Sequence, residues 1–388
     1  MVQKLSVPDT EKLKAVQDVC DLSDPYVGLE KENEKFIEAM KEVTSWHMQK
    51  CDYYKKLAAS QDFKPSSVKN LNDLLSIPHL WAHFFKAHEV LSVPEKDIFL
   101  HLTSSGTTGQ KSQIFFDEWT IRSAQRMVDL IFEKYGWVTP EQKCNYILFS
   151  YETESSSKLG TAYTDNFLCK YAPVNQVFTA LKLTGGGGHE FDCFGTIDAF
   201  IDFARQGLPV RLFGFPAFFY FALERMKKLG IAPVKMHPDS LVFLGGGWKG
   251  HADKAIDKND FYALVEEMLG IPNERLRDGF GSVEHCVPYV ECKNHEFHVP
   301  VWSRVFIRDV ETLRPLDYEQ KGFLHFISPY ITSMPAHSVI MGDMASLHSP
   351  ESCGCGLPTP YFRIHGRAGV SKNKSCALAA SELLKGKS

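Results

Sequence analysis

The sequence predicts an α/β fold with a large domain of mostly parallel sheets and a smaller β-rich subdomain. Two observations support the parallel sheets. Short apolar runs recur at wide intervals, and each run is followed by Ser/Gly-rich sequence and then by residues at helical spacing. A third observation, a change to closely spaced β-type runs from about residue 297, predicts the subdomain. The 388 residues suffice for one large or two ordinary domains.

The elements follow from apolar spacing. Residues from about 32 to 57 place Phe36, Met40 and Val43 on one face, which predicts one long amphipathic helix. The next segments predict strands at 98–102, 146–149, 210–213 and 241–244. We expect an adenylating domain over residues 1–365, with the β-rich subdomain at about 297–365, and a mobile tail over 366–388 that ends in a short helix.

Composition excludes several classes of function. There are 43 Lys and Arg against 47 Asp and Glu, so no basic surface for nucleic acid or an anionic membrane is expected. The longest apolar run, 212–223, is too short to span a bilayer of about 30 Å. The ten cysteines are scattered, and the N-terminus lacks the apolar core of a signal peptide. We therefore expect a cytoplasmic protein with no membrane span, whose cysteines are thiols or metal ligands.

The most specific motif follows the run 98–102 and reads Thr-Ser-Ser-Gly-Thr-Thr-Gly-Gln-Lys-Ser. Its glycines let the backbone approach an anion, its N–H and hydroxyl groups can donate to phosphate oxygens, and Lys111 adds positive charge. The spacing differs from that of the P-loop ATPases. It predicts a phosphate-binding loop formed by Ser104, Ser105, Gly106, Thr107, Thr108, Gly109 and Lys111.

This loop resembles that of the adenylate-forming enzymes, the superfamily of acyl- and aryl-CoA ligases, although Gln110 replaces their usual proline. Further motifs similar to theirs follow in the family order. The resemblance implies ATP and Mg²⁺ as cofactors, with Lys111 and Glu284 as catalytic groups. It implies an adenine-binding turn at Gly245, Gly246 and Gly247 and an aromatic ring, Phe280, that stacks on adenine and is followed by Gly281 and Ser282. It also implies that Glu284 binds Mg²⁺, that Asp343 binds the ribose and that Arg367 belongs to a hinge.

The tail presents a cysteine where the ligases continue into a further domain of about a hundred residues. Cys376 follows Lys372 and Lys374 and precedes a predicted helix, and both features favour thiolate. An acyl-adenylate needs such a nucleophile. Here the sequence is similar to the acyl-protein synthetases of the bioluminescence fatty acid reductase complex. That resemblance implies activation of a long-chain fatty acid of about C14, acylation of Cys376 and transfer to a reductase subunit in a hetero-oligomer.

Four soft donors form a second constellation: Cys292, His298, Cys353 and Cys355. Such ligands suit tetrahedral Zn²⁺, and similar residues occur in the phenylacetate-CoA ligase branch. The sequence therefore predicts a structural zinc site, with Cys286 and His295 as alternative ligands.

Two other functions stay open at this point. One is an acyl- or aryl-CoA ligase that has lost its C-terminal domain, and the other is a nucleotide-binding regulatory subunit without chemistry. The aromatic run 212–220 could line an acyl channel or simply pack in the core. His189 and His285 are candidate bases, although an ionised fatty acid needs none to attack ATP.

Overall fold

A computed structural model describes residues 5–103, 112–152, 167–185, 188–248 and 250–368. The α-helices in this part are α1 (Lys14–Cys20), α2 (Asn33–Lys50), α3 (Asp52–Ser60), α4 (Glu118–Lys134), α5 (Cys193–Gln206), α6 (Pro216–Lys228) and α7 (Lys258–Leu269). The strands are β1 (Leu80–Trp81), β2 (Leu100–Thr103), β3 (Gln113–Phe116), β4 (Cys144–Tyr151), β5 (Val174–Leu183), β6 (His189–Phe191), β7 (Val210–Gly214), β8 (Leu241–Gly245), β9 (Leu276–Phe280), β10 (Tyr289–Val290), β11 (Phe297–His298), β12 (Arg304–Arg308), β13 (Lys321–Ile327), β14 (Ser338–His348) and β15 (Tyr361–Arg367).

The chain divides into two compact units. The first contains residues 1–134, 281–289 and 296–388, and the second contains 135–280 and 290–295. The β-rich stretch that begins near residue 297 thus belongs to one unit with the N-terminal helices. Among the described helices, none is long and apolar enough to cross a membrane.

The second unit is built on a seven-stranded sheet in the order β10, β9, β8, β7, β4, β5, β6. The pairs β4/β5, β4/β7, β7/β8 and β8/β9 are parallel, and β6 runs antiparallel to β5. Helix α6 connects the parallel strands β7 and β8, and helix α7 connects the parallel strands β8 and β9, because parallel neighbours need a crossover. The core between sheet and helices is mostly aliphatic and includes several aromatic rings, of which Phe149 and Phe219 stack at 4.8 Å between ring centroids. Parallel strands at 146–149, 210–213 and 241–244 are confirmed.

The first unit is built on a six-stranded sheet in the order β11, β15, β14, β13, β12, with β1 added in parallel beside β14. The other pairings whose register is known are antiparallel. Helix α2 packs in the same unit, where Trp46 Nε1 donates a hydrogen bond of 2.9 Å to the carbonyl of Thr332.

Two predicted elements are wrong in detail. The single helix expected over 32–57 is two helices, because Cys51 is extended (φ −116°, ψ 109°). The break lets α3 bury Tyr54, whose hydroxyl donates to the Pro78 carbonyl at 2.8 Å. The strand at 98–102 is β2, but it pairs antiparallel with β3 in a separate hairpin. The connection between β2 and β3 is too short for the crossover that a parallel pair needs.

Candidate functional site

The predicted phosphate-binding loop lies between β2 and β3 in the sequence. Its predicted residues Ser104 to Lys111 lie outside the described residues, whereas its stem is described. Thr103 pairs with Gln113 where the loop begins and ends. The β3 side is held by Phe115, whose N–H donates to Met334 Sδ (3.1 Å) and whose carbonyl accepts from Ser333 Oγ (2.7 Å). The ends of the loop are therefore anchored to the first unit.

The predicted adenine turn begins where β8 ends. Gly245 is the last residue of β8 and is the register partner of Gly279 on β9. Gly246 and Gly247 both have left-handed backbones (φ 75° and 66°), which favours glycine. Because the carboxyl ends of parallel strands are where ligands bind in such sheets, this turn is well placed to present bare backbone to a ligand.

Phe280 is the last residue of β9, the strand next to β8. A Cβ at Gly279 would lie 2.7 Å from Cζ of the Phe243 ring, so only glycine fits there without a shift of that ring. Phe280 is therefore carried by a strand end that packs tightly against its neighbour. The arrangement gives the sheet one half-buried aromatic ring beside the glycine turn.

In the first unit, residues 281–286 form a turn that carries Glu284. The N–H groups of His285 and Cys286 both donate to the Ser282 carbonyl, at 3.3 and 2.7 Å. Ser282 Oγ lies 3.9 Å from Met341 Sδ of β14. Glu284 is only 7% exposed. The turn therefore holds a carboxylate, the ligand class that Mg²⁺ prefers, at a defined position.

The His285 ring, a candidate base, lies in the core. Its Nε2 is 2.9 Å from Tyr289 Oη, and the ring stacks on Phe326 at 4.4 Å. Complete burial lowers its pKa to about 3, so the ring is neutral at physiological pH. His189, the other candidate, has Nε2 at 2.7 Å from the Glu152 carbonyl.

Asp343 and Arg367 face each other across β14 and β15. They are register partners, and Asp343 Oδ1 lies 3.7 Å from Arg367 Nε. The Asp343 side chain is 14% exposed and that of Arg367 is 58% exposed. Burial raises the pKa of Asp343, while Arg367 acts in the opposite direction. Arg367 is the last residue of β15, the strand that precedes the tail. Cys376 lies outside the described residues.

The four predicted zinc ligands come together. The donor atoms of Cys292, His298, Cys353 and Cys355 all lie within 4.8 Å of one another. Separations of this size are compatible with Zn–S bonds of about 2.3 Å and Zn–N bonds of about 2.0 Å. The alternative ligands are engaged elsewhere, since Cys286 contacts Tyr330 and His295 contacts Asn273.

The surroundings prepare His298 as a ligand. Its Nδ1 donates to the Thr359 carbonyl at 2.6 Å, which leaves Nε2 as the acceptor that faces Cys355 Sγ at 3.2 Å. Burial lowers the pKa of His298 and so favours the neutral ring that metals require. Gly354, with φ 70°, lets the Cys353–Cys355 segment turn both thiols toward the histidine.

The comparisons with known proteins agree with these motifs. The family model described as acyl-protein synthetase, LuxE, matches residues 5–385. The chain belongs to this family. It is therefore an enzyme of the acid–thiol ligase type, as the sequence predicted.

The relatives and structural neighbours support the same assignment. A long-chain-fatty-acid–luciferin-component ligase of Vibrio harveyi is 25% identical over 81% of this chain and 79% of its own length. The protein of the same name from Aliivibrio fischeri is 24% identical over 92% of this chain and 90% of its own length. A 2-hydroxyisobutyryl-CoA ligase, crystallised with its acyl-AMP and CoA, has a TM-score of 0.65 at 13% identity and covers 95% of this chain and 75% of its own. The predicted adenylate-forming ligase fold is confirmed.

Sequence analysis missed one charged residue of the second unit. Glu291 is fully buried next to β9, although no motif marks it. The signal that could have found it is a charged residue directly after the buried strand β10. Such a residue is rarely buried unless it is paired.

Proposed function

We propose that this acyl-protein synthetase uses ATP and Mg²⁺ to convert a long-chain fatty acid to its acyl-adenylate and then carries the acyl group as a thioester on Cys376. The observation that carries the proposal is the family match, which runs to residue 385 and so includes the tail. The two fatty-acid ligases among the relatives support the substrate class.

The first step is a displacement at the α-phosphorus of ATP. A carboxylate oxygen of the fatty acid forms the new P–O bond, and pyrophosphate leaves with the electrons of the bond that breaks. Lys111 and the loop donors Ser104 to Gly109 offset the charge that builds on the phosphates. Mg²⁺ would be held through Glu284, whose buried carboxylate suits it, and would neutralise phosphate charge.

We propose the following contacts with the nucleoside. The backbone of Gly245, Gly246 and Gly247 lies against the adenine, and the Phe280 ring stacks on it, with Gly281 and Ser282 following. Asp343 accepts hydrogen bonds from the ribose hydroxyls. We infer that Arg367, the ion-pair partner of Asp343, marks the hinge to the tail.

The second step forms the thioester. The Cys376 thiolate attacks the acyl carbon, AMP leaves, and the acyl group is then passed to a nucleophile of a reductase subunit, which restores the thiol. We propose residues 1–365 as the adenylating domain and 366–388 as the acceptor tail. We also propose that the protein acts in the cytoplasm as part of a hetero-oligomer with the reductase subunit.

The metal site is proposed to be structural. Cys292, His298, Cys353 and Cys355 would supply four ligands to Zn²⁺, which is the number typical of structural sites and would leave no position for substrate. The bound Zn²⁺ would cross-link β11, through His298, to the 353–355 turn. It takes no part in either reaction step.

The deciding experiment measures label on the chain. The protein is incubated with ATP, Mg²⁺ and a radiolabelled fatty acid of about C14, as the intact chain, Cys376→Ser and the control Cys193→Ser. We expect hydroxylamine-labile label on the intact chain and the control but not on Cys376→Ser, with acyl-AMP formed by all three. Label absent from every chain, with acyl-CoA formed when CoA is added, would instead assign the truncated CoA ligase.

A further inference from the structure

Glu291 forms an unusually complete set of contacts in the second unit. Its side chain is 0% exposed. Oε1 is paired with Lys258 Nζ, and Oε2 accepts from Tyr262 Oη at 3.2 Å. His295 Nδ1 lies 3.4 Å from Oε2. A buried carboxylate is tolerated only when its charge and lone pairs are satisfied in this way.

The remaining contact of Glu291 reaches β9. Oε2 also accepts the backbone N–H of Asp278 at 2.8 Å, while the Glu291 N–H donates to the Asp278 carbonyl at 3.1 Å. Both polar backbone groups of Asp278 are thus bound by one residue. Charge-assisted bonds of this kind are stronger than bonds between neutral groups.

The same device is repeated one residue further along β9. The Asp278 carboxylate Oδ1 accepts the N–H of Gly279 at 2.9 Å. On the other side, Gly279 is confined by the Phe243 ring. The backbone that leads into Phe280 is therefore set by two acidic side chains and one ring, all within the second unit.

We propose that Glu291 is a positioning residue for Phe280, the ring proposed to stack on adenine. It holds the end of β9 through the Asp278 N–H and so sets the position of the Phe280 ring that stacks on the purine. This inference rests on the proposed function, because it assumes that Phe280 contacts ATP. It predicts a specific kinetic effect: loss of the acceptor raises KM for ATP and leaves kcat and KM for the fatty acid nearly unchanged.

The test compares three substitutions by ATP–pyrophosphate exchange. Glu291→Met removes the acceptor at similar volume, Glu291→Asp keeps the charge but withdraws the acceptor, and Glu291→Gln keeps an acceptor without the charge. We expect KM for ATP to rise about tenfold in the Met and Asp variants and to stay within about threefold in the Gln variant. If the Met variant fails to fold, the Asp variant carries the test. Lys258→Met is the matched control, since it removes the ion pair but leaves the Asp278 contact.

Each outcome has a distinct meaning. Rescue by Gln, with Lys258→Met near the unsubstituted protein, supports the positioning role. A Gln variant as impaired as the Met variant, or equal losses in kcat and both KM values, would overturn it while leaving the proposed function intact. An unsubstituted protein without exchange activity would overturn the proposed function, and this inference with it.

Discussion

The two sheets present their proposed site residues in different ways. In the mostly parallel seven-stranded sheet, Gly245 and Phe280 are the last residues of their strands, and Gly245 has only backbone to offer. In the antiparallel region of the six-stranded sheet, side chains meet through register, as Asp343 and Arg367 do across β14 and β15. Strand-end motifs are contiguous in sequence, whereas register pairs join residues that are distant in sequence. The first arrangement should be sensitive to added volume and the second to lost side chains.

The largest expected effect concerns the proposed metal ligands Cys292, His298, Cys353 and Cys355. Cys355→Ser, or removal of metal by a chelator, should lower the free energy of unfolding by more than about 4 kcal/mol, because loss of a structural metal is among the few changes of that size. Elemental analysis and denaturant unfolding measure it, and Cys193→Ser serves as the control. A protein without stoichiometric zinc would contradict the prediction.

Low pH should weaken the first unit through its buried histidines. Burial lowers the pKa of His47 and of His285 to about 3, whereas both should titrate near 6.5 when unfolded. The unfolded chain then binds more protons below pH 6.5, so stability falls as the pH falls. The two groups together account for about 3 kcal/mol per pH unit at most. Unfolding from pH 7.5 to 5 should show a smaller slope in His285→Gln, and an unchanged slope in the exposed control His88→Gln.

Asp343→Ala tests the side-chain arrangement directly. Loss of the proposed charged acceptor for the ribose hydroxyls should lower kcat/KM for ATP in pyrophosphate exchange about a hundredfold, which corresponds to about 2.7 kcal/mol. The control is Asp317→Ala, an exposed aspartate of the same unit. Equal activity in the two variants would remove Asp343 from the nucleotide site.

Gly279→Ala tests how sensitive the end of β9 is to added volume. The added Cβ would lie 2.7 Å from the Phe243 ring, and such overpacking should lower the free energy of unfolding by about 1.5 kcal/mol. Gly281→Ala is the matched control for stability, because nothing lies within 4 Å of its added Cβ. Thermal unfolding compares the two, and equal melting temperatures would show that the ring moves aside freely.

The smallest effect is expected at an exposed ion pair. Arg363 of β15 contacts Glu296 through its guanidinium, with Arg363 49% exposed. Solvent screens such pairs, so a double-mutant cycle of Arg363→Met and Glu296→Gln should give a coupling below about 0.5 kcal/mol. A coupling above about 1 kcal/mol would mean that this ion pair stabilises the sheet more than its exposure suggests.

Local patterns were enough for several parts of the fold and site. Three parallel strands were predictable because each contains a short apolar run, and the clustered Cys and His side chains because their chemistry is specific. The break at Cys51 was not predictable, because apolar spacing continues across it. In the structure the break accompanies the burial of Tyr54. The antiparallel partner of β2 was missed because an isolated apolar run does not reveal its direction.

By itself, the sequence determined the α/β class, the family resemblance and the donor set of the proposed metal site, because these depend on residue type and on spacing along the chain. Only the tertiary structure decided that His285 packs as a neutral core ring and that Cys286 and His295 lie outside the metal cluster. The same holds for Glu291, which binds the backbone of Asp278 from thirteen residues further along. Burial and long-range hydrogen bonds arise only when the sheets form, and no local pattern encodes them.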